Sequence, residues 1–202
     1  MGTTGIRIRW DDTRRVTLWV MLAVSMVILA CICASSAVAS AASGWSALQE
    51  GSVVLFRHAN APGVGDPPGF QLDRCSTQRN LDAEGRAQAR RIGEAFRQRG
   101  IPVAKVWTSE WCRARETAQL AFPDQASAQP AFNSFFGDAE RRRVQTAEAL
   151  SLLGRWAGPG VLVVVTHQVN ITALTGQGAS SGEGVIVKPT KDGLQVLGTI
   201  RP

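Results

Sequence analysis

Histidine is scarce in this chain: 202 residues hold two, His58 and His167. Cysteine is little more common, and only Cys75 and Cys112 lie beyond the apolar stretch near the start. Neither type is grouped at metal-ligand spacing and no cluster of carboxylates replaces them, so the sequence points to no metal and no other cofactor. So few cysteines also exclude a disulfide-dense scaffold. A domain of roughly 150 residues buries about two thirds of its unfolded surface and needs no such staples. No internal repeat is present, which excludes a solenoid. The net charge is +6, from 22 basic and 16 acidic residues. The basic residues lack the clustering with aromatics of a nucleic-acid surface, so the surplus favours other anionic ligands and no nucleic acid is expected as a partner.

Charge is also absent from Val16 to Ala34, which Arg7, Arg9, Arg14 and Arg15 precede and Ala37-Val38-Ala39 follows. Basic, then apolar, then small-x-small is the order of a secretory signal peptide. The apolar run is equally long enough for an uncleaved membrane anchor. Either reading makes residues 1–43 a leader, with membrane association through residues 16–34 in the second case. Both place residues 44–202, a single domain, outside the cytoplasmic membrane, in the periplasm or beyond. There Cys75 and Cys112 form either a disulfide or two thiols.

What the sequence does contain is two unbroken apolar runs, Val53-Val54-Leu55-Phe56 and Val161-Leu162-Val163-Val164-Val165. They read as strands buried on both faces of a parallel sheet. Arg57-His58 follows the first and Thr166-His167 the second. Both imidazoles are therefore expected at the carboxyl ends of strands, where open α/β sheets bind ligands. Ala61 to Ser76 is a loop rich in Gly, Pro and Asp. A helix follows, capped by Asp82, with Gly85, Ala89, Ile92 and Phe96 as its inner stripe, stopped by Gly100 and Pro102. Val103 to Trp107 reads as a strand, and Glu110 to Ala121 as a helix capped by Thr108-Ser109. Residues 124–138, with Phe132, Phe135 and Phe136, form an irregular connection. Ala139 to Trp156 is a third helix with Val144, Ala147, Leu150 and Leu153 inward. A short helix then ends at Gly176, and Gly184 to Val187 with Leu194 to Ile200 form a hairpin. The expected architecture is α/β: a three-layer αβα sandwich on a mainly parallel, doubly wound sheet with a C-terminal edge hairpin.

If the second helix follows a parallel strand, its start lies on the same sheet edge, with Arg113 in its first turn. Two imidazoles, two guanidinium groups and a helix start then converge. Guanidinium forks bind phosphate oxygens in pairs, and a helix N-terminus favours anions, so the site suits a phosphoryl group. These segments resemble the histidine phosphatase superfamily in its phosphoglycerate-mutase-like branch. Leu55-Phe56-Arg57-His58-Ala59 resembles the family's Arg-His-Gly signature, with Ala59 at the glycine. Ser109 to Ala118 resembles its Ser-Pro-Leu-x-Arg-Ala-x-Gln-Thr-Ala helix start, departing at Glu110, Trp111 and Glu116. Val164-Val165-Thr166-His167 resembles its second-histidine strand, and Leu81 to Gly93 its first helix. The likeness spans residues 52–176.

The resemblance implies that His58 is the nucleophile and becomes phosphohistidine, while Arg57, Arg113 and His167 hold the phosphoryl oxygens. Asn60 and Arg79 are expected to face the substrate. The implied activity is a metal-independent phosphomonoesterase acting on a phosphorylated small molecule or an envelope glycoconjugate. Thr166 to Asn170 and Cys75 to Asn80 resemble envelope phosphatases such as those acting on lipopolysaccharide core heptose phosphate. A non-catalytic phosphate-binding or scaffolding domain, and a phosphomutase, are the alternatives. One part is missing: many relatives carry a proton-donating glutamate in a Leu-Asn-Glu-like context, where this chain has Phe132-Asn133-Ser134. Asp138, Glu110 and Glu183 are the candidate replacements.

Overall fold

The two strands that end in the histidines lie side by side in the structure, a computed structural model describing residues 44–202. In chain order the strands are β1 (Val53–Arg57), β2 (Val103–Thr108), β3 (Ala126–Ala128), β4 (Val161–Thr166), β5 (Gly184–Thr190) and β6 (Gly193–Ile200). They form one sheet in the order β3-β2-β4-β1-β5-β6. β1, β2, β3 and β4 run parallel, and β5 and β6 complete the sheet as an antiparallel hairpin. Every residue of β4 is buried, as are the first four of β1, which is why neither shows apolar–polar alternation.

The helices are α1 (Ala83–Gln98), α2 (Cys112–Ala121), α3 (Ala139–Gly154) and α4 (Gln168–Thr175). Ile92 and Phe96 of α1 and Ala114, Ala118 and Ala121 of α2 pack with Val54, Phe56, Val163 and Val165 on one face. Ala149 and Leu153 of α3 and Ile171 of α4 pack with Val53, Leu55, Leu162 and Val164 on the other. The result is the expected αβα sandwich. Phe56, Phe96, Phe132 and Leu153 are among the largest fully buried side chains. Each contributes about 1.5–3 kcal/mol by leaving water.

Three local expectations change. Residues 124–138 are not wholly irregular, because β3 pairs with β2 there. Ala126-Ser127-Ala128 carries no strand signal of its own; the neighbour's backbone recruits it. The inner face of α3 is Gln145, Ala149 and Leu153. Val144 is 53% exposed and Ala147 is exposed. Gln145 is drawn inward because its amide donates to Asn133 O, a polar demand that an apolar-periodicity reading does not see. α2 begins at Cys112 rather than Glu110, and Trp111, its N-cap residue, makes no side-chain cap.

The expectation for residues 1–43 lies outside the described residues. Among the described residues no helix is long and apolar enough to cross a membrane.

Candidate active site

Strand register puts the chemistry on one edge. Arg57 pairs with Thr166 across β1 and β4, and Thr108 with Val165 across β2 and β4. His58 and His167, the next residues of β1 and β4, therefore emerge at the same level, and Ser109, after β2, stands opposite Thr166, one residue short of them. His58 N donates to Thr166 O at 2.9 Å and Ser109 N to Val165 O at 3.0 Å, so the backbone fixes their positions. Gly85 at the start of α1 serves the same end: a Cβ there would lie 2.0 Å from Asn60 O, so only glycine lets α1 close on the segment after His58.

His58 is 2% exposed, and its Nδ1 lies 2.8 Å from Ala59 O. A carbonyl only accepts, so Nδ1 carries the hydrogen and Nε2 keeps the lone pair. Arg113 Nε donates to that Nε2 at 3.2 Å, which is consistent only with an unprotonated nitrogen. Burial pushes the His58 pKa down to about 3, aided by Arg113, Arg79 and Arg57 and opposed by the Ala59 carbonyl. The imidazole is therefore neutral and nucleophilic across the physiological range.

His167 stands beside it, the ring centroids 5.4 Å apart, and Trp111 packs edge-on to His167 at 5.5 Å. Burial, with His58 and the arginines, holds His167 neutral as well. Its Nε2 lies 2.7 Å from Ser109 Oγ. That hydroxyl accepts from Trp111 N at 3.2 Å and donates to Asn133 Oδ1 at 3.3 Å, which also takes Glu110 N at 2.8 Å. His167 Nδ1 and Arg57 Nε are both buried without a hydrogen-bond partner among the described residues. Both side chains line one cavity, of about 630 Å³, together with His58, Arg79, Arg113 and Trp111. Unpartnered buried polar atoms are costly unless a ligand meets them, and the Arg57 N–H would be met by an oxyanion. Burial lowers the pKa of Arg57, Arg79 and Arg113, and Arg113 adds to the effect on the other two. Guanidinium groups keep their charge, so an entering anion relieves this crowding.

The cavity contains an acid that periodicity and motif could not reveal. Asp66, in the loop after β1, accepts from Arg113 NH1 at 2.7 Å, Arg79 N at 3.0 Å and Trp111 Nε1 at 2.9 Å. Its side chain is 7% exposed and that of Arg113 3%. Although burial works against the charge, these donors hold Asp66 below the usual carboxylate range. Its one sequence signal was a carboxylate in a long loop beginning next to His58. The three departures from the family motif also have partners: Trp111 holds Asp66, Glu110 accepts from Asn133 Nδ2 at 2.6 Å, and Glu116 pairs with Arg86 at 2.6 Å.

Of the other expected site residues, Asp138 lines the cavity but caps α3 and pairs with Arg141. Arg79 also lines it, yet its guanidinium donates to Gly65 O and Ala61 O and so braces its own loop. Asn60 is turned from the cavity, with its amide on Asp82 Oδ2 at 2.9 Å. Glu183 faces Arg201 and Ser180 N, and Glu110 faces Asn133; neither lines the cavity. The start of α2 supplies Arg113 rather than free amides. The N–H groups of Glu110, Trp111 and Cys112 already meet Asn133 Oδ1, Ser109 Oγ and Gln78 Oε1. Cys75 and Cys112 are joined as a disulfide. Among the described residues no group of three or more His, Cys, Asp or Glu is placed to hold a metal ion.

A neutral imidazole set among three guanidinium groups at a parallel-sheet edge is an arrangement suited to a phosphoryl group. The profile of the histidine phosphatase superfamily (branch 1) matches residues 53–156, and the chain belongs to that family, which makes it a phosphatase. No curated protein matches it in sequence. Among solved structures, the protein histidine phosphatase SixA complexed with tungstate is similar, with a TM-score of 0.54 and 16% identity, covering 75% of this chain and 97% of that one. A mycobacterial glucosyl-3-phosphoglycerate phosphatase gives 0.55 and 16%, covering 74% and 98%. The alpha-ribazole phosphatase from Shigella flexneri gives 0.53 and 17%, covering 72% and 95%. At these identities the likeness is one of fold.

Proposed function

We propose that this protein hydrolyses phosphate monoesters without a metal, through a phosphohistidine on His58. The observation that carries the reading is the state of that side chain: Nδ1 committed to Ala59 O, Nε2 facing the Arg113 guanidinium, and the imidazole neutral. Nε2 attacks phosphorus in line with the departing oxygen. Arg57, Arg113 and His167 stabilise the equatorial oxygens, where negative charge resides in the transition state. Water then cleaves the phosphoramidate and restores His58.

The domain is exported in this reading, and its substrate is a phosphorylated small molecule or an envelope glycoconjugate such as lipopolysaccharide core heptose phosphate. The leader pattern supports export, as does the Cys75–Cys112 bond, since disulfides persist in oxidising compartments. The three solved structures above are named for three different substrates, so they support the reaction class and leave the substrate to assay. The competing reading, a phosphate-binding scaffold, draws on Ser134 standing where relatives carry the acid.

Release of phosphate from p-nitrophenyl phosphate by the full-length protein separates the two, because that leaving group hardly needs a proton. Turnover that disappears in His58→Ala supports the enzyme. Phosphate binding without turnover, or equal turnover in the variant, supports the scaffold or an unrelated activity.

A further inference from the structure

The reaction leaves one proton unassigned. An alkoxide departing from phosphorus needs a general acid, and Ser134, which lines the cavity where relatives place a glutamate, is far too weak an acid to serve. Glu110 and Glu183 face other partners outside the cavity. Asp138 is half-exposed at the rim and held as the cap of α3. Asp66 remains.

We propose that Asp66 is the proton donor: its carboxyl protonates the leaving oxygen while the bond from His58 Nε2 to phosphorus forms and the ester P–O bond breaks. The resulting carboxylate then takes a proton from the water that attacks phosphohistidine. That water's oxygen bonds to phosphorus, the N–P bond breaks, and the proton on Asp66 leaves with inorganic phosphate as H2PO4−, which restores a neutral His58 and an ionised Asp66. The inference rests on the phosphohistidine reading above.

Three observations carry it. First, one guanidinium spans both groups: Arg113 Nε meets His58 Nε2 at 3.2 Å and NH1 meets Asp66 Oδ1 at 2.7 Å. Nucleophile and acid thus flank the residue that clamps the phosphoryl group. Second, in-line displacement puts the leaving oxygen on the side of phosphorus away from His58, so its donor must come from an element other than that strand end. Asp66 comes from the loop between β1 and α1. Third, Asp66 is shielded: Trp111 donates to one carboxylate oxygen and the side chain is 7% exposed, so a proton placed there is kept from bulk water.

In the free site the surrounding donors keep Asp66 ionised. A phosphoryl anion that shares Arg113 and brings like charge beside the carboxylate reverses that preference. The proton arrives with the substrate, since monoesters are partly monoanionic around their second pKa of about 6.

The test is the dependence of kcat/KM on leaving-group acidity, measured with full-length protein on p-nitrophenyl phosphate and a series of alkyl phosphates. Wild type is expected to be nearly insensitive to the leaving group. Asp66→Asn keeps an oxygen for Arg113 and Arg79 but has no proton to give. It should lose roughly 10²–10⁴-fold on alkyl phosphates and less than tenfold on p-nitrophenyl phosphate. Equal losses on both would overturn the proposal and make Asp66 a positioning residue for Arg113. So would a steep wild-type dependence, or a selective alkyl defect in Asp138→Asn. Should Asp66→Asn fail to fold, the wild-type and Asp138→Asn series still decide: both flat supports Asp66, and either steep overturns it. Loss of the phosphohistidine reading looks different, because p-nitrophenyl phosphate turnover would then survive in His58→Ala.

Discussion

The cavity has two walls built on different principles. The sheet-edge wall, with His58, His167 and the start of α2, rests on strands whose side chains are almost all buried, and backbone pairing sets its geometry. In the loop wall, residues 61–80, only Ala61 and Gln78 are buried as whole residues, with the Asp66 carboxylate the acidic group tucked inward. It is held by individual bonds instead: Arg79 to its own carbonyls, Asp66 to Arg113 and Trp111, Gln78 to Cys112 N, and the Cys75–Cys112 disulfide. A packed wall fixes the nucleophile whatever the solvent does. A stapled wall can be loosened one contact at a time, and it is the wall that carries the acid.

The largest expected effect comes where the walls meet. Arg113→Ala removes a transition-state donor, about 3 kcal/mol of barrier or 10²–10³-fold in kcat. It also leaves Asp66 buried without its ion pair, a further loss of stability of about 3–5 kcal/mol. A variant that loses activity with an unchanged Tm would show the walls to be uncoupled.

Removing the disulfide tests the stapled wall alone. Cys75→Ser with Cys112→Ser frees a crosslink spanning 37 residues. The expected cost is about 3–4 kcal/mol of stability, read from denaturant midpoints. At temperatures where the variant is folded, turnover of p-nitrophenyl phosphate should persist, because the packed wall keeps His58 in place. Loss of that turnover in a folded variant would mean that the nucleophile depends on the loop.

Acid tests the packed wall. His58 and His167 are held neutral in the folded protein, and an unfolded histidine binds a proton below about pH 6.5. The unfolded state therefore takes up more protons as pH falls. The stability these residues contribute is complete above about pH 6.5 and is lost progressively towards pH 3. Tm should decline over that window, less steeply in His167→Asn; a Tm independent of pH there would contradict the buried, neutral pair.

The smallest contrast concerns α3. Leu153→Ala should cost about 2–5 kcal/mol, as a buried leucine does. Val144→Ala should stay within about 0.5 kcal/mol, because Val144 is 53% exposed. Equal costs would restore the helix face expected from sequence.

The same two walls explain what could be read beforehand. Apolar runs ending in Arg57-His58 and Thr166-His167 announce buried parallel strands, and parallel strands align their carboxyl ends, so the nucleophile's edge was legible. The loop has no periodicity to read. Asp66 is placed by three particular donors, one at the far end of its own loop and two on α2 and its cap, and Asn60 and Arg79 are turned to local partners that compete with any substrate. β3 and the face of α3 escaped for a related reason: a neighbour's backbone and the carbonyl of Asn133 decide them, not their own composition.

The central claim is that an uncharged His58 attacks phosphorus and carries it covalently. Full-length protein mixed with a phosphorus-labelled aryl phosphate, quenched in alkaline denaturant within one turnover and mapped by mass spectrometry, tests it directly. The account predicts acid-labile, alkali-stable label on the His58 imidazole and none in His58→Ala. Label on a serine or carboxylate, or turnover with no labelled His58 at any quench time, would contradict it.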